Sequence, residues 1–102
     1  MKKLSAVEYG AVEWVLSYVS EMSLDERYRE GIRELRAVPL TRSLDLTASQ
    51  RGSLIAAIEY FEALYTRMAK GYPKGNRTVR DILKRTEYLK CAVEKIKGEA
   101  NV

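Results

Sequence analysis

Residues 4–22, LSAVEYGAVEWVLSYVSEM, and residues 46–64, LTASQRGSLIAAIEYFEAL, each read as a capped amphipathic helix, and side by side they read as two diverged copies of one unit. At an offset of 42 residues they share Leu4/Leu46, Ala6/Ala48, Gly10/Gly52 and Tyr18/Tyr60. They substitute within class at Ser5/Thr47, Glu8/Gln50, Val12/Leu54, Leu16/Ile58, Val19/Phe61 and Met22/Leu64. Both open with a capping box, Ser5-Ala6-Val7-Glu8 and Thr47-Ala48-Ser49-Gln50, preceded by the leucine that a hydrophobic staple uses. At about 100° per residue, the offset rotates the pattern by about 11 turns and a further 240° or so. That rotation carries an apolar sector centred on Ala11, Val15, Tyr18 and Met22 onto Leu54, Ala57, Phe61, Leu64 and Met68.

A second helix follows each copy. Ser23-Leu24-Asp25-Glu26 has the form of a capping box leading into Leu24, Tyr28, Ile32 and Leu35, and Pro39 forbids continuation. Thr78-Val79-Arg80-Asp81 opens a run through Val79, Ile82, Leu83, Thr86, Leu89, Val93 and Ile96, with Gly98 placed to stop it. No stretch alternates at period two. The sequence therefore predicts an all-α, small four-helix domain built from two similar helical hairpins, with helices near 6–22, 24–37, 48–70 and 79–97. One domain, 1–102, comprises copy one (about 4–38), a linker (39–45) and copy two (about 46–97). Residues 71–77 turn the chain inside copy two, where copy one has no such loop.

A chain of 102 residues suffices for one core. There is no histidine, which removes Ser-His-Asp and Cys-His nucleophilic sites and histidine metal sites, and no cofactor or metal is implied. The single Cys91 reads as a small, partly buried side chain. Glu30 and Glu34 interleave with Arg29 and Arg33 at helical ion-pair spacing, and no carboxylate pair is marked out for acid–base work. The Gly71–Gly75 loop lacks the spacing of a phosphate-binding loop and reads as a helix stop and turn. With no apolar run near bilayer length and no signal core after Met1-Lys2-Lys3, the expectation is a soluble, intracellular, non-enzymatic protein with no membrane partner.

Two surfaces carry functional readings. Residues 1–50 hold seven Lys/Arg against eight Asp/Glu, whereas residues 51–102 hold eleven against six. The basic excess lies in residues 67–90, where Lys70, Lys74, Arg77, Arg80 and Lys84 are candidates for holding an anion or nucleic acid near a helix start, with Tyr72 available to stack. Residues 40–54, with leucines at 40, 44, 46 and 54 and Thr47 as a cap, resemble a helix-turn-helix, although Asp45 and Arg51 depart from that pattern. The other reading starts from helix one, whose apolar arc from Trp14 through Val7, Tyr18, Ala11, Met22, Val15, Val19, Val12 and Leu16 to Tyr9 sweeps roughly 220°, more than one partner helix covers. Tyr9, Trp14 and Tyr60 are then candidates to line a groove between the hairpins for a protein or peptide, including a second copy of the chain. Ile55 stands alone among Arg51, Glu59, Glu62 and Thr66 on a polar side.

Only Gln50, Asn76 and Asn101 carry side-chain amides, and 31% of residues are charged, a balance seen in hyperthermophile proteins. With its length and its duplicated capped helix at Leu4–Met22 and Leu46–Leu64, the chain resembles the small orphan helical proteins of filamentous viruses of hyperthermophilic archaea, and that resemblance implies no activity and no site residues. The first expectation is an interaction module that binds a protein or peptide in an apolar groove; the alternative is nucleic-acid binding through residues 67–90 or 40–54.

Overall fold

A computed structural model describes residues 3–37, 46–73 and 75–99. They form four α-helices, α1 (Ala6–Tyr18), α2 (Glu26–Ala37), α3 (Ala48–Lys70) and α4 (Arg77–Glu99), with a 3₁₀ turn at Glu21–Ser23 and no strand among the described residues. The chain is all-α, as its periodicity predicts. The long α3 is the centre, flanked along its length by α2 and α4, while α1 packs mainly on α4 and touches α2 and α3 less. All four helices contribute to one buried cluster that includes Val12, Leu16, Ile32, Leu54, Ile58, Leu89 and Ile96.

Both capping boxes form. Ser5 Oγ accepts from the Glu8 amide while the Ser5 amide donates to Glu8 Oε1, and Thr47 and Gln50 repeat the arrangement. The first helices also bury equivalent positions at the offset of 42: Ala11 and Ser53, Val12 and Leu54, Val15 and Ala57, Leu16 and Ile58, Val19 and Phe61. The sector of copy one is nevertheless centred differently from the sequence reading. Tyr18 is 68% exposed and Met22 75% exposed, and the inward face runs through Val12, Val15, Leu16 and Val19.

The end of α1 also departs from the sequence reading. Val19 turns extended and ends α1 four residues earlier than its periodicity suggests. Arg36 from α2 then donates to the carbonyls of Leu16 and Val19, which the helix end leaves without partners. Arg29 donates likewise to the carbonyls of Glu21 and Leu24 around the 3₁₀ turn. The arginines of α2 thus reach backbone carbonyls, as Arg29 and Arg36 do, or the carboxylates of Glu21 and Asp25, as Arg33, Arg36 and Arg27 do, rather than Glu30 and Glu34.

Other boundaries move for local reasons. Asp25, not Ser23, caps α2 by accepting from the Arg27 amide. Asn76, not Thr78, caps α4 by accepting from the Thr78 amide at 2.8 Å. The helix runs past Gly98 to Glu99. Gly75 supplies the positive φ, +84°, that the turn before α4 requires. Cys91 is exposed rather than partly buried, Leu83 is 52% exposed, and Ile55 rests against the core instead of standing alone. Of the helix-turn-helix reading, residues 40–45 lie outside the described residues. Arg51, one of its two departures, donates to the Leu46 carbonyl.

Candidate functional site: a groove between α1 and α4

α1 and α4 run antiparallel, because Glu8 near the start of α1 meets Lys95 near the end of α4 while Trp14 meets Arg85 further back along it. Each helix contributes lining residues spaced i, i+3, i+4 and i+7, Val7, Gly10, Ala11 and Trp14 from α1 and Asp81, Lys84, Arg85 and Tyr88 from α4, and the two stripes are offset along the pair, meeting near Trp14 and Arg85. Between the stripes lies an open groove of about 420 Å³. Its floor is small because Gly10 has no side chain, and a Cβ built there meets nothing within 4 Å. Val7 stands 53% exposed on its wall.

Trp14 is the hinge between groove and core. Its ring lies against Phe61 edge-on at 5.2 Å and against Tyr65 at 5.8 Å, with Tyr18 on its outer side at 4.9 Å. The Arg85 guanidinium sits 5.0 Å from the ring centroid, a cation–π contact of about 0.5–2 kcal/mol. Behind Arg85 is a second, smaller cavity of about 120 Å³, lined by Tyr65, Thr78, Asp81, Ile82 and Arg85. Arg85 and Asp81 border both spaces.

The electrostatics of the groove are one-sided. Arg77, Arg80, Lys84 and Arg85 make no ion pair with any described residue, and Asp81 makes none either. At the far end the charges are neutralised internally. The Lys95 ammonium lies 2.6 Å from Glu8 Oε1 and also donates to the Lys3 carbonyl. Burial works to raise the Glu8 carboxyl's pKa, but the Lys95 ammonium and the Ser5 hydrogen bonds outweigh it and hold the group below the ordinary glutamate value.

Of the sequence-predicted peptide-binding residues, the structure brings only Trp14 to the groove. Tyr9 packs against the core and does not line the groove, since five residues before Trp14 is about 140° round the helix. Tyr60, 37% exposed, stands edge-on to Phe61 at 5.5 Å on α3, which contributes nothing to the groove's lining. Of the anion-binding candidates, Lys84 lines the groove. Arg77 and Arg80 are exposed on the first turns of α4, Lys70 is exposed at the end of α3, and Lys74 lies outside the described residues. Sequence reasoning missed Gly10, Asp81 and Tyr88. Their signal was the matching i, i+3, i+4, i+7 spacing, which means nothing until α1 and α4 are known to be neighbours.

The described residues hold no group of three or more Cys, Asp or Glu able to bind a metal, and no helix among them is long and apolar enough to cross a membrane. Compared with models of protein families, with curated proteins and with solved structures, the chain matches none.

Proposed function

We propose that the chain is a non-enzymatic interaction module that seats a segment of a protein or peptide in the groove between α1 and α4. The observation that carries this reading is Gly10. A glycine in mid-helix costs roughly 1 kcal/mol relative to alanine, and no neighbour among the described residues requires it, yet it lines the groove without a side chain beside a half-buried tryptophan. Val7 and Tyr88 add exposed apolar side chains beside Lys84 and Arg85, a mixed surface on which a partner segment can dock.

The test is selection of binders from an unbiased display library of peptides on the full chain, with Gly10→Phe as the comparison. The phenylalanine fills the groove from a position with no neighbour to displace, so binding should be lost while the melting temperature holds. Trp14→Ala is the weaker probe, because Trp14 also packs on Phe61 and Tyr65 and its removal unsettles the core. Failure of the library to yield any peptide sensitive to Gly10→Phe sinks the groove reading.

The unpaired cations at the start of α4 favour a second reading, contact with nucleic-acid phosphates through Arg77, Arg80 and Lys84. Changing these three to Ala should then flatten the salt dependence of DNA binding by about one unit per lost contact. A wild-type chain without salt-sensitive DNA binding ends that reading.

A further inference from the structure

We infer that the groove's occupant is an acidic amphipathic helix, an inference that rests on the interaction reading above and names the chemistry of the partner. Three features select it. First, every described backbone element is helical, so no strand edge is available to pair with an extended segment, and a groove between two neighbouring helices is a place where a third helix can lay an apolar face. Second, the small floor at Gly10 and Ala11 allows a helix to approach closely, while Val7, Trp14 and Tyr88 offer apolar contact to one of its faces.

Third, the charge along the α4 side is unbalanced. Lys84 and Arg85 border the groove against the one carboxylate of its lining, Asp81, and Arg77 and Arg80 lie on the first turns of the same helix, all four cations without carboxylate partners among the described residues. An incoming carboxylate satisfies Lys84 directly. A second one, a turn along, competes with the Trp14 ring for Arg85. Drawing Arg85 off the ring bares the Trp14 face for the partner's apolar anchor. The apolar floor has no role in holding a phosphate backbone, which makes a protein helix the better fit of the two anionic classes.

The experiment sequences the peptides selected on the wild-type chain and measures binding of the most enriched one through the emission of Trp14, the chain's single tryptophan. The expected result is enrichment of Asp or Glu at three- or four-residue spacing beside apolar residues. Affinity should fall at least tenfold in Lys84→Glu/Arg85→Glu, weaken with added salt, and be lost in Gly10→Phe. Enrichment of neutral or basic peptides that still need Gly10 overturns the acidic partner and leaves the groove reading standing. Acidic peptides indifferent to Gly10→Phe overturn the placement. No enrichment at all removes both, as does self-association or DNA binding that alone depends on an open position 10.

Discussion

Two helix contacts in this small domain each turn on a glycine, and they use it in opposite ways. Where α2 crosses α3, a Cβ on Gly31 would stand 2.6 Å from Ser53 Cβ and 3.2 Å from the Ser49 carbonyl, so the missing side chain is what lets the helices meet. Where α1 borders the groove with α4, a Cβ on Gly10 would meet none of the described residues within 4 Å, and the missing side chain leaves a gap. The first glycine is consumed by the fold and the second is spare. A residue type therefore says little about purpose until its neighbours are known.

The largest effect should come from closing the tight contact. Gly31→Ala drives a methyl into Ser53 and should lower stability by about 2–3 kcal/mol in denaturant unfolding. A gain of about 0.5–1 kcal/mol instead, the ordinary helix-propensity effect, would mean that α2 and α3 have room for the methyl and that Gly31 is not what lets them meet.

The closed end of the α1–α4 pair gives the next effect. Lys95→Met leaves the buried Glu8 carboxylate with only its Ser5 hydrogen bonds and should cost about 1–2 kcal/mol at neutral pH. The pH dependence has a definite sign. Glu8's depressed pKa contributes stability that is present above the ordinary glutamate value of 4.5 and is lost as the pH falls through the lower, folded value. Without Lys95, burial is less opposed, so thermal melts across the acid range should show the loss beginning at higher pH.

Gly10→Ala should act in the opposite direction to Gly31→Ala, raising stability by about 0.5–1 kcal/mol, because alanine suits a helix better and nothing stands in its way. That difference in sign between two mid-helix glycines is the sharpest check on the comparison. Smallest of all, Ser53→Ala should fall within about 0.5 kcal/mol of wild type or stabilise slightly, since it removes a buried hydroxyl that has no hydrogen-bond partner.

What could be read from the sequence was what local chemistry decides. The capping boxes at Ser5 and Thr47 need only residues three positions apart, and the inward stripe Tyr28, Ile32 and Leu35 needs only the helical period. The end of α1 was not legible, because it depends on Arg36 reaching back to Leu16 and Val19. Glu8 read only as a capping residue, and its cap did form, but its burial against Lys95 joins positions 87 residues apart. The candidate site divides in the same way. Trp14 and Lys84 stood out individually, one as excess apolar surface and the other as excess charge. That they border one groove follows from α1 packing on α4, which no spacing within either helix encodes.

The Glu8–Lys95 pair has a consequence for how the domain is made. α1 is synthesised before the other helices, yet the helix it packs on most is synthesised after them. While α2 and α3 assemble around Gly31 and Ser53, the inner face of α1 must wait for the last helix, so nascent chains halted within α4 should hold a formed α2–α3 pair and an α1 still open to proteases. Completion of α4 then closes the domain with contacts of long sequence separation, and that closing step, rather than the formation of any helix, should set the folding rate.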